Sequence, residues 1–383
     1  MARHGPTGPG TQGRPDALVR VSSPTVGMAP DPGICQAGFA AHIMSAPLRP
    51  LDWSLPFGDP VAQLSWSPDG TRLGAGGVDG RAAILDARDG RVLHGFIAHE
   101  GGLFRAAFSP AEDLFATSGQ DGRAKLWDPL TGAQLHSLEG GASWVEQLAW
   151  SPRGGWVAVG AGRKLHLWHP ASGVVHVSAA HRSTVTALAW RPDGSRVAAA
   201  CYSGAEVWDA GTGTHVETLP WKTSLISLAW SPDGRWVVGG TQEQSVQIWE
   251  LPFHPGDELA MSGYATKVRE LAWHPGGRYL ATGGGEPIMV WDCAGKGPAG
   301  STPRILEGHA GLVTALDYQR AGHLLASGAQ DGSVLLWNAG KSSTALRRFQ
   351  AGDSVTEVRW SPDGKRVAIG CRDGTIAVGQ APV

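Results

Sequence analysis

The sequence is poor in several features that define common classes of protein. No stretch approaches the roughly 18 apolar residues that a membrane-spanning helix needs, and no basic segment leads into a short apolar core near the N-terminus. Positive charge is not in excess, because 32 Lys and Arg oppose 34 Asp and Glu for a net charge of −2. Such a balance gives no general attraction to nucleic acid or anionic membranes. We therefore expect a cytoplasmic protein with neither partner.

Cysteine and phosphate-binding motifs are scarce as well. Cys35, Cys201, Cys293 and Cys371 stand far apart and form no CxxC pair, so neither a zinc site nor a disulfide framework is indicated. The "GGG" at 283–285 lacks the lysine and the following helix of a phosphate-binding loop. The sequence thus predicts free thiols, no metal, no cofactor and no catalytic residue.

Glycine and tryptophan are abundant instead, with 55 Gly and 17 Trp against 4 Tyr. Residues 1–46 are rich in Pro and Gly and show no strand or helix period, so they cannot bury enough surface to offset their ordering entropy. We expect this segment to be disordered. A second hypothesis places the biological start at Met44, just before the patterned region at 47–383.

The patterned region is a tandem repeat. An aromatic residue followed by a turn sequence such as "SPDG" recurs every 40 to 45 residues, and a second aromatic recurs roughly 18 residues after most of them. The first aromatic falls at Trp66, Phe108, Trp150, Trp190, Trp230, Trp273, Tyr318 and Trp360. These positions define eight repeat units.

Each unit reads as four short strands. A Ser-Pro-Asp-Gly turn separates the first two strands, and Asp-Gly often separates the second from the third. Four antiparallel strands in about 42 residues correspond to one propeller blade. The chain stops after the last third strand, so the segment 47–55, in which Leu51, Trp53 and Leu55 alternate, is expected to supply the missing strand and close the ring. The sequence predicts an all-β propeller, with eight blades favoured over seven.

The repeats resemble the WD40 family over nearly the whole patterned region. The resemblance implies a β-propeller in which a His, a Ser or Thr, an Asp and a Trp form a buried hydrogen-bonded tetrad that stabilises a blade. Two units match at every position, and the set is His99, Thr117, Asp121 and Trp127 with His309, Ser327, Asp331 and Trp337. Other units depart, since Trp221 and Tyr264 occupy the histidine position in units five and six.

The same resemblance implies partner binding through the face that carries the loops before each first strand and between the second and third strands. The positions six and four residues before each recurring aromatic are expected to point onto that face. An aromatic flanked by charge is typical of an interface hot spot. The candidates are Phe104, Gln120, Trp144, Glu146, Gln242, Lys267, Arg269, Gln330 and Arg372.

These observations predict a non-catalytic, monomeric scaffold that binds a protein or peptide. The alternative is a metal-dependent propeller enzyme of the lactonase or hydrolase type that works in the central channel. Such chemistry needs several converging carboxylates or histidines. The sixteen positions considered also serve as the inward register toward the channel, and Glu146 is the single carboxylate among them, which favours the scaffold.

Overall fold

The computed structural model describes residues 18–20, 46–295, 297–298 and 301–382. These residues form 31 strands, beginning with β1 (Leu18–Arg20) and β2 (Trp53–Pro56). None of them is helical, so this part of the chain has no helix long and apolar enough to cross a membrane. The strands build the blades of a β-propeller, which confirms the predicted fold class.

The first three blades follow one another along the chain as separate four-stranded antiparallel sheets. Blade 1 comprises β3 (Val61–Trp66), β4 (Arg72–Gly77), β5 (Arg81–Asp86) and β6 (Val92–Ile97). Blade 2 comprises β7 (Leu103–Phe108), β8 (Phe115–Gly119), β9 (Arg123–Trp127) and β10 (Gln134–Glu139). Blade 3 comprises β11 (Val145–Trp150), β12 (Val157–Ala161), β13 (Lys164–His169) and β14 (Val174–Val177).

Blades 4 and 5 share one continuous sheet. They are built from β15 (Ala187–Trp190), β16 (Arg196–Asp209), β17 (His215–Trp230), β18 (Trp236–Thr241), β19 (Ser245–Glu250) and β20 (Leu259–Ser262). The long strands β16 and β17 each occupy two strand positions. The first half of β16 pairs with β15 and its second half with β17, whose own second half pairs with β18. Hydrogen bonding alone therefore gives seven sheets, one of which holds two blades.

The last three blades are again separate sheets. Blade 6 comprises β21 (Leu271–Trp273), β22 (Tyr279–Thr282), β23 (Ile288–Asp292) and β24 (Arg304–Leu306). Blade 7 comprises β25 (Val313–Tyr318), β26 (Leu325–Ala329), β27 (Ser333–Trp337) and β28 (Ala345–Gln350). Blade 8 comprises β29 (Val355–Trp360), β30 (Arg366–Cys371), β31 (Thr375–Gln380) and β2.

The inner strands form a closed ring. In turn around the ring, β3, β7, β11, β15, the second half of β17, β21, β25 and β29 lie side by side, and β29 returns to β3. Strand β2 pairs antiparallel with β31, with Trp53 opposite Val378 and Leu55 opposite Ile376, which confirms closure by an N-terminal strand. Among the described residues, the ring therefore contains eight blades.

The segment predicted to be disordered lies mostly outside the described residues. Only Leu18–Arg20 and Ala46 of residues 1–46 are described, and β1 pairs in parallel with β20 at the outer edge of blade 5. Disorder in the rest of the segment and a start at Met44 stay predictions.

In five blades, the recurring aromatic is a tryptophan that hydrogen-bonds to the blade before it. The indole N–H of Trp66 donates to the carbonyl oxygen of Arg359 at 3.0 Å, across the junction of blades 8 and 1. The same bond recurs from Trp150 to Ala107, from Trp190 to Ala149, from Trp230 to Ala189 and from Trp360 to Asp317. Apolar side chains from neighbouring sheets fill the space between blades, so the core is a ring of inter-blade clusters. This packing fixes the loops and the channel relative to one another.

Candidate partner-binding face and central channel

Blade 2 contains a complete tetrad. His99 Nε2 lies 2.8 Å from Thr117 Oγ1 and His99 Nδ1 lies 2.8 Å from Asp121 Oδ1, while Trp127 Nε1 donates to Thr117 Oγ1 at 2.8 Å. Burial lowers the pKa of His99, which favours a neutral ring that donates to Asp121 and accepts from Thr117. Burial would raise the pKa of Asp121, but hydrogen bonds from Lys125 and His99 outweigh it and lower that pKa. The set is a structural hydrogen-bond network.

Blade 7 carries a modified tetrad. His309 Nε2 and Trp337 Nε1 both bond Ser327 Oγ, at 2.7 and 2.8 Å. On the other side, His309 Nδ1 bonds Ser333 Oγ at 2.6 Å, and Ser333 in turn donates to Asp331 at 2.6 Å. The direct distance from His309 Nδ1 to Asp331 Oδ1 is 3.9 Å. A serine two residues after the aspartate thus relays the contact that is direct in blade 2.

Blade 6 builds the same network around a tyrosine. The Tyr264 hydroxyl lies 2.9 Å from Thr282 Oγ1 and accepts a hydrogen bond from Trp291 Nε1 at 3.1 Å. Burial raises the pKa of Tyr264 to about 12. By contrast, the buried indole N–H groups of Trp208 in blade 4 and Trp249 in blade 5 have no hydrogen-bond partner among the described residues. The departures noted in the repeats therefore correspond to altered or missing networks.

The loops before the first strands and the turns between second and third strands meet at one face, which we call the loop face. In five blades, the residue just before the turn aspartate, or its counterpart, donates its N–H to the carbonyl six residues before the recurring aromatic. These bonds run from Val78 to Pro60, from Gln120 to Gly102, from Gln242 to Ser224, from Gln330 to Leu312 and from Arg372 to Ser354. The two sets of candidate positions thus lie on the same face.

Two of the candidates pack together on the loop face. The rings of Phe104 in blade 2 and Trp144 in blade 3 have centroids 5.9 Å apart and are tilted by 54°. Trp144 is 50% exposed despite this contact, whereas Phe104 is half-buried. The pair forms an aromatic ridge that spans two neighbouring blades.

Val78 lies on the loop face beside the residues that lead into Phe104, and sequence reasoning missed it. It precedes the turn residue Asp79, so it occupies the same register as Gln120, and its N–H donates to the carbonyl of Pro60. The Val78 side chain is 51% exposed and its carbonyl packs against Gly102. Its position before an Asp-Gly turn could have identified it as a residue of the loop face, because Gln120 and Gln330 hold the same position in their blades.

Two acidic residues are close in sequence to the ridge. Glu100 is exposed and Glu146 is half-buried, and no cationic group lies within ion-pair distance of either carboxylate in the described part of the chain. Of the remaining candidates, Lys267 and Arg269 are exposed on blade 6, away from the ridge, as is Gln330 on blade 7. The structure therefore brings Phe104 and Trp144 together and leaves the basic pair separate.

A β-bulge decides which side chains face the central channel. Six blades have such a bulge in the first strand. In each, the pairing register with the second strand shifts between the residues that lie five and three positions before the recurring aromatic. Examples are the shifts between Val61 and Gln63 and between Val355 and Glu357. A bulge inserts one unpaired residue and re-aims the next side chain. As a result, residues three positions before the aromatic, such as Gln147 and Glu357, line the channel, together with some from four positions before, such as Arg269. The expectation that Glu146 is the single inward carboxylate is wrong, because Glu357 lines the channel and Glu146 does not.

The upper channel is a polar cavity of about 470 Å³. Gln63 Nε2 donates to Glu357 Oε1 at 2.8 Å, and Glu357 also forms an ion pair with Arg359. Arg105 donates to Gln147 Oε1 at 3.0 Å and to Gln63 Oε1 at 3.4 Å. Burial raises the pKa of Glu357, although Arg359 and Arg105 oppose the shift. The wall is thus a connected network of amides, guanidinium groups and one carboxylate.

Two further carboxyl groups lie near the channel. Asp317 accepts the N–H of Trp360 at 2.7 Å, and burial raises its pKa against the opposing charge of Arg359. Burial raises the pKa of Glu270 to about 7. Within the described ranges, no group of three or more His, Cys, Asp and Glu side chains is placed to hold a metal ion.

The repeats match a known family model. The model described as "WD domain, G-beta repeat" matches residues 90–128, 132–169, 173–209, 213–250, 257–292, 300–338 and 343–378, which is more than half of the chain. The chain belongs to the WD40 repeat family. Each of these matches begins near the fourth strand of one blade and ends with the third strand of the next. A model described as "Anaphase-promoting complex subunit 4 WD40 domain" matches residues 53–105, which contain the remaining WD40 unit.

The curated relatives share only short stretches with this WD40 chain. A periodic tryptophan protein 2 homolog of Caenorhabditis elegans is 31% identical over 70 residues, which are 18% of this chain and 8% of that protein. Coronin-7 of Mus musculus is 30% identical over 133 residues, which are 34% of this chain and 12% of that protein. The matches therefore span about a tenth of the length of these relatives.

Solved structures match over most of the chain. Sqt1 from Chaetomium thermophilum, solved bound to the N-terminus of the ribosomal protein L10, has a TM-score of 0.75 at 20% identity and covers 87% of this chain and 100% of its own. The computationally designed Ika8 protein has a TM-score of 0.72 at 24% identity and covers 86% and 99%. At these identities, the likeness shows the fold.

Proposed function

We propose that this WD40 propeller is a non-catalytic interaction module that binds a protein segment on the loop face. The binding surface is centred on the aromatic ridge of Phe104 and Trp144 and includes the exposed Val78. The observation that carries the proposal is the half-exposed Trp144 ring, held against Phe104 across a blade junction. Large aromatic side chains that remain exposed but are positioned by their neighbours are typical of interface hot spots. The cytoplasmic location and monomeric state expected from the sequence belong to the same proposal.

The flanking charges suggest the chemistry of the partner. Glu100 precedes Phe104 by four residues and Glu146 follows Trp144 by two, so we expect a complementary segment to present an apolar side chain next to a lysine or arginine. Sqt1, a structure with the same fold, is seen bound to the N-terminus of a ribosomal protein, which supports a protein segment as the class of ligand.

Affinity capture from the native host, followed by binding measurements with each purified partner, tests this proposal. Trp144→Ala and Phe104→Ala should weaken binding of the specific partner by roughly 30-fold or more, as hot-spot truncations do. Leu130→Ala is the matched control, because Leu130 is 65% exposed in a turn between the third and fourth strands, on the opposite face. An unchanged partner set and affinity for folded Trp144→Ala and Phe104→Ala would refute the proposed face.

Metal analysis of the purified protein addresses the alternative of a propeller enzyme. The scaffold proposal predicts less than stoichiometric metal. Tightly bound metal at one equivalent per chain would support the enzyme instead.

A further inference from the structure

The upper part of the central channel has a net positive charge, whereas the whole protein has a small net negative charge. Three arginines, Arg105, Arg269 and Arg359, and one carboxylate, Glu357, supply the charged groups that line the upper cavity. The chain as a whole has a net charge of −2. When each group is counted in its usual ionised form, the wall of this cavity of about 470 Å³ has an excess of two positive charges. An anion bound in this cavity would therefore be stabilised by electrostatic attraction.

The acids near the channel do not remove this excess. Glu357 is already paired with Arg359. Asp317 lies in the cavity below, of about 350 Å³, where Arg320 and Arg359 accompany it. The carboxyl of Glu270 packs against Gly283 in blade 6 and is not part of the upper lining.

Arg105 is the residue that most clearly lacks an acidic partner. Its guanidinium donates to the side-chain oxygens of Gln63 and Gln147, both of which are neutral amides. Burial lowers the pKa of Arg105, Glu357 partly offsets that effect, and the nearby charges of Arg359 and Arg269 lower the pKa further. Two amides therefore orient a half-buried cation without neutralising it, and withdrawing such a charge from water is costly unless a counter-charge binds.

Arg269 provides a second, accessible guanidinium at the same cavity. It lies at the loop-face end of blade 6, it is exposed, and it forms no ion pair among the described residues. Arginine presents a fork of N–H donors that matches the oxygens of phosphate and carboxylate groups. Thr186 and Ser227 also belong to the cavity wall, and their hydroxyl groups donate to the carbonyls of Leu225 and Val268.

We propose that the upper channel is an oxyanion site in which Arg105 and Arg269 bind a phosphate-type group with several negative charges. This site is distinct from the aromatic ridge and does not rest on the proposed partner binding. The group is either a free small anion or a phosphorylated side chain, and both present the same oxygens.

Isothermal titration calorimetry and thermal unfolding of the full chain test the site with two probes. Inorganic pyrophosphate represents a free anion, and O-phosphoserine represents a phosphorylated side chain. At least one probe should bind at one molecule per chain and raise Tm above the value in sodium chloride of equal ionic strength. Tighter binding of one probe identifies the source of the oxyanion.

Substitutions locate the binding. Arg269→Gln, an exposed change that should leave the fold intact, is expected to weaken probe binding at least fivefold, and Arg105→Gln at least as much. Arg123→Gln is the control, because Arg123 pairs with Glu139 on the outer part of blade 2. Should Arg105→Gln fail to fold, Arg269→Gln alone decides. Binding of neither probe beyond the salt control, or equal binding by wild type and Arg269→Gln, would overturn the proposal.

Discussion

Trp66 and Arg359 are joined by a hydrogen bond across the seam of the ring, from the indole Nε1 to the carbonyl oxygen at 3.0 Å. The two residues are 293 positions apart, yet their bond is equivalent to the bonds that link neighbouring blades elsewhere in the ring. A bond between the first and the last blade stabilises the closed state only when the whole chain has folded. It therefore links local repeat structure to the cooperativity of the ring.

Trp66→Phe should destabilise the protein by about 1–2 kcal/mol, because it removes one buried hydrogen bond and leaves the Arg359 carbonyl without that donor. The matched control is Trp273→Phe. Trp273 occupies the same repeat position in blade 6, but its Nε1 is buried without a partner among the described residues. Equilibrium unfolding in urea measures both variants. An equal loss for the two would show that the seam bond contributes nothing beyond ring packing.

The fold could be predicted because its determinants repeat. The Ser67 to Gly70 turn illustrates this, since the Gly70 N–H donates to the Ser67 carbonyl at 2.9 Å and Gly70 adopts a φ of +69°, a conformation that favours glycine. A turn that needs particular residues leaves the same letters in the sequence each time it recurs. The period of those letters was enough to predict the blades and their number.

The channel could not be predicted in the same way, because a bulge is not visible in an alternating pattern. Simple alternation placed Glu146 toward the channel, whereas the bulge gives that place to Gln147. A signal was nevertheless present. The residues three before the recurring aromatic include Gln63, Arg105 and Glu357, and polar residues at one register of otherwise apolar strands indicate a shared polar surface.

The blade 2 tetrad gives a prediction about stability. Thr117→Val removes the hydroxyl that accepts from Trp127 and bonds His99, so two buried polar groups lose a partner at once. We expect a loss of about 2–4 kcal/mol in the free energy of unfolding. Thr117→Ser keeps the hydroxyl and should recover most of this loss. A Val variant as stable as the Ser variant in urea unfolding would contradict the role of the network.

Thiol reactivity gives a further prediction. Cys201, Cys293 and Cys371 are buried free thiols, and burial raises the pKa of all three, to about 12 for Cys293 and Cys371. Because the thiolate is the reactive form, these residues should react slowly with DTNB in the folded protein. Cys35 lies outside the described residues, so the experiment uses Cys35→Ser.

In that variant, three thiols should react at pH 8 only after guanidinium is added, with native rates lower by at least 100-fold. Prompt reaction of even one thiol in native buffer would mean that a blade opens readily or that one of these cysteines is not buried.

Glu270 provides a prediction about pH. Burial raises its pKa in the folded state to about 7, from an ordinary value of 4.5, with the charges of Arg269 and Lys267 as weaker opposing effects. A carboxyl with a raised folded pKa contributes stability at low pH, and that contribution is lost as the pH rises through about 7. Above that pH, the folded protein must bury a charge that the unfolded chain keeps in water.

Glu270→Gln removes this cost, since glutamine is neutral at every pH. The difference in stability between the variant and the wild type should therefore shift in favour of the variant by about 1–3 kcal/mol between pH 5.5 and pH 8.5. Thermal unfolding across that range measures the shift, and Glu100→Gln on an exposed loop corrects for the loss of one negative charge. Parallel pH curves for the wild type and Glu270→Gln would show that the carboxyl is hydrated in solution, because only a carboxyl sheltered from water has its charged form disfavoured in this way.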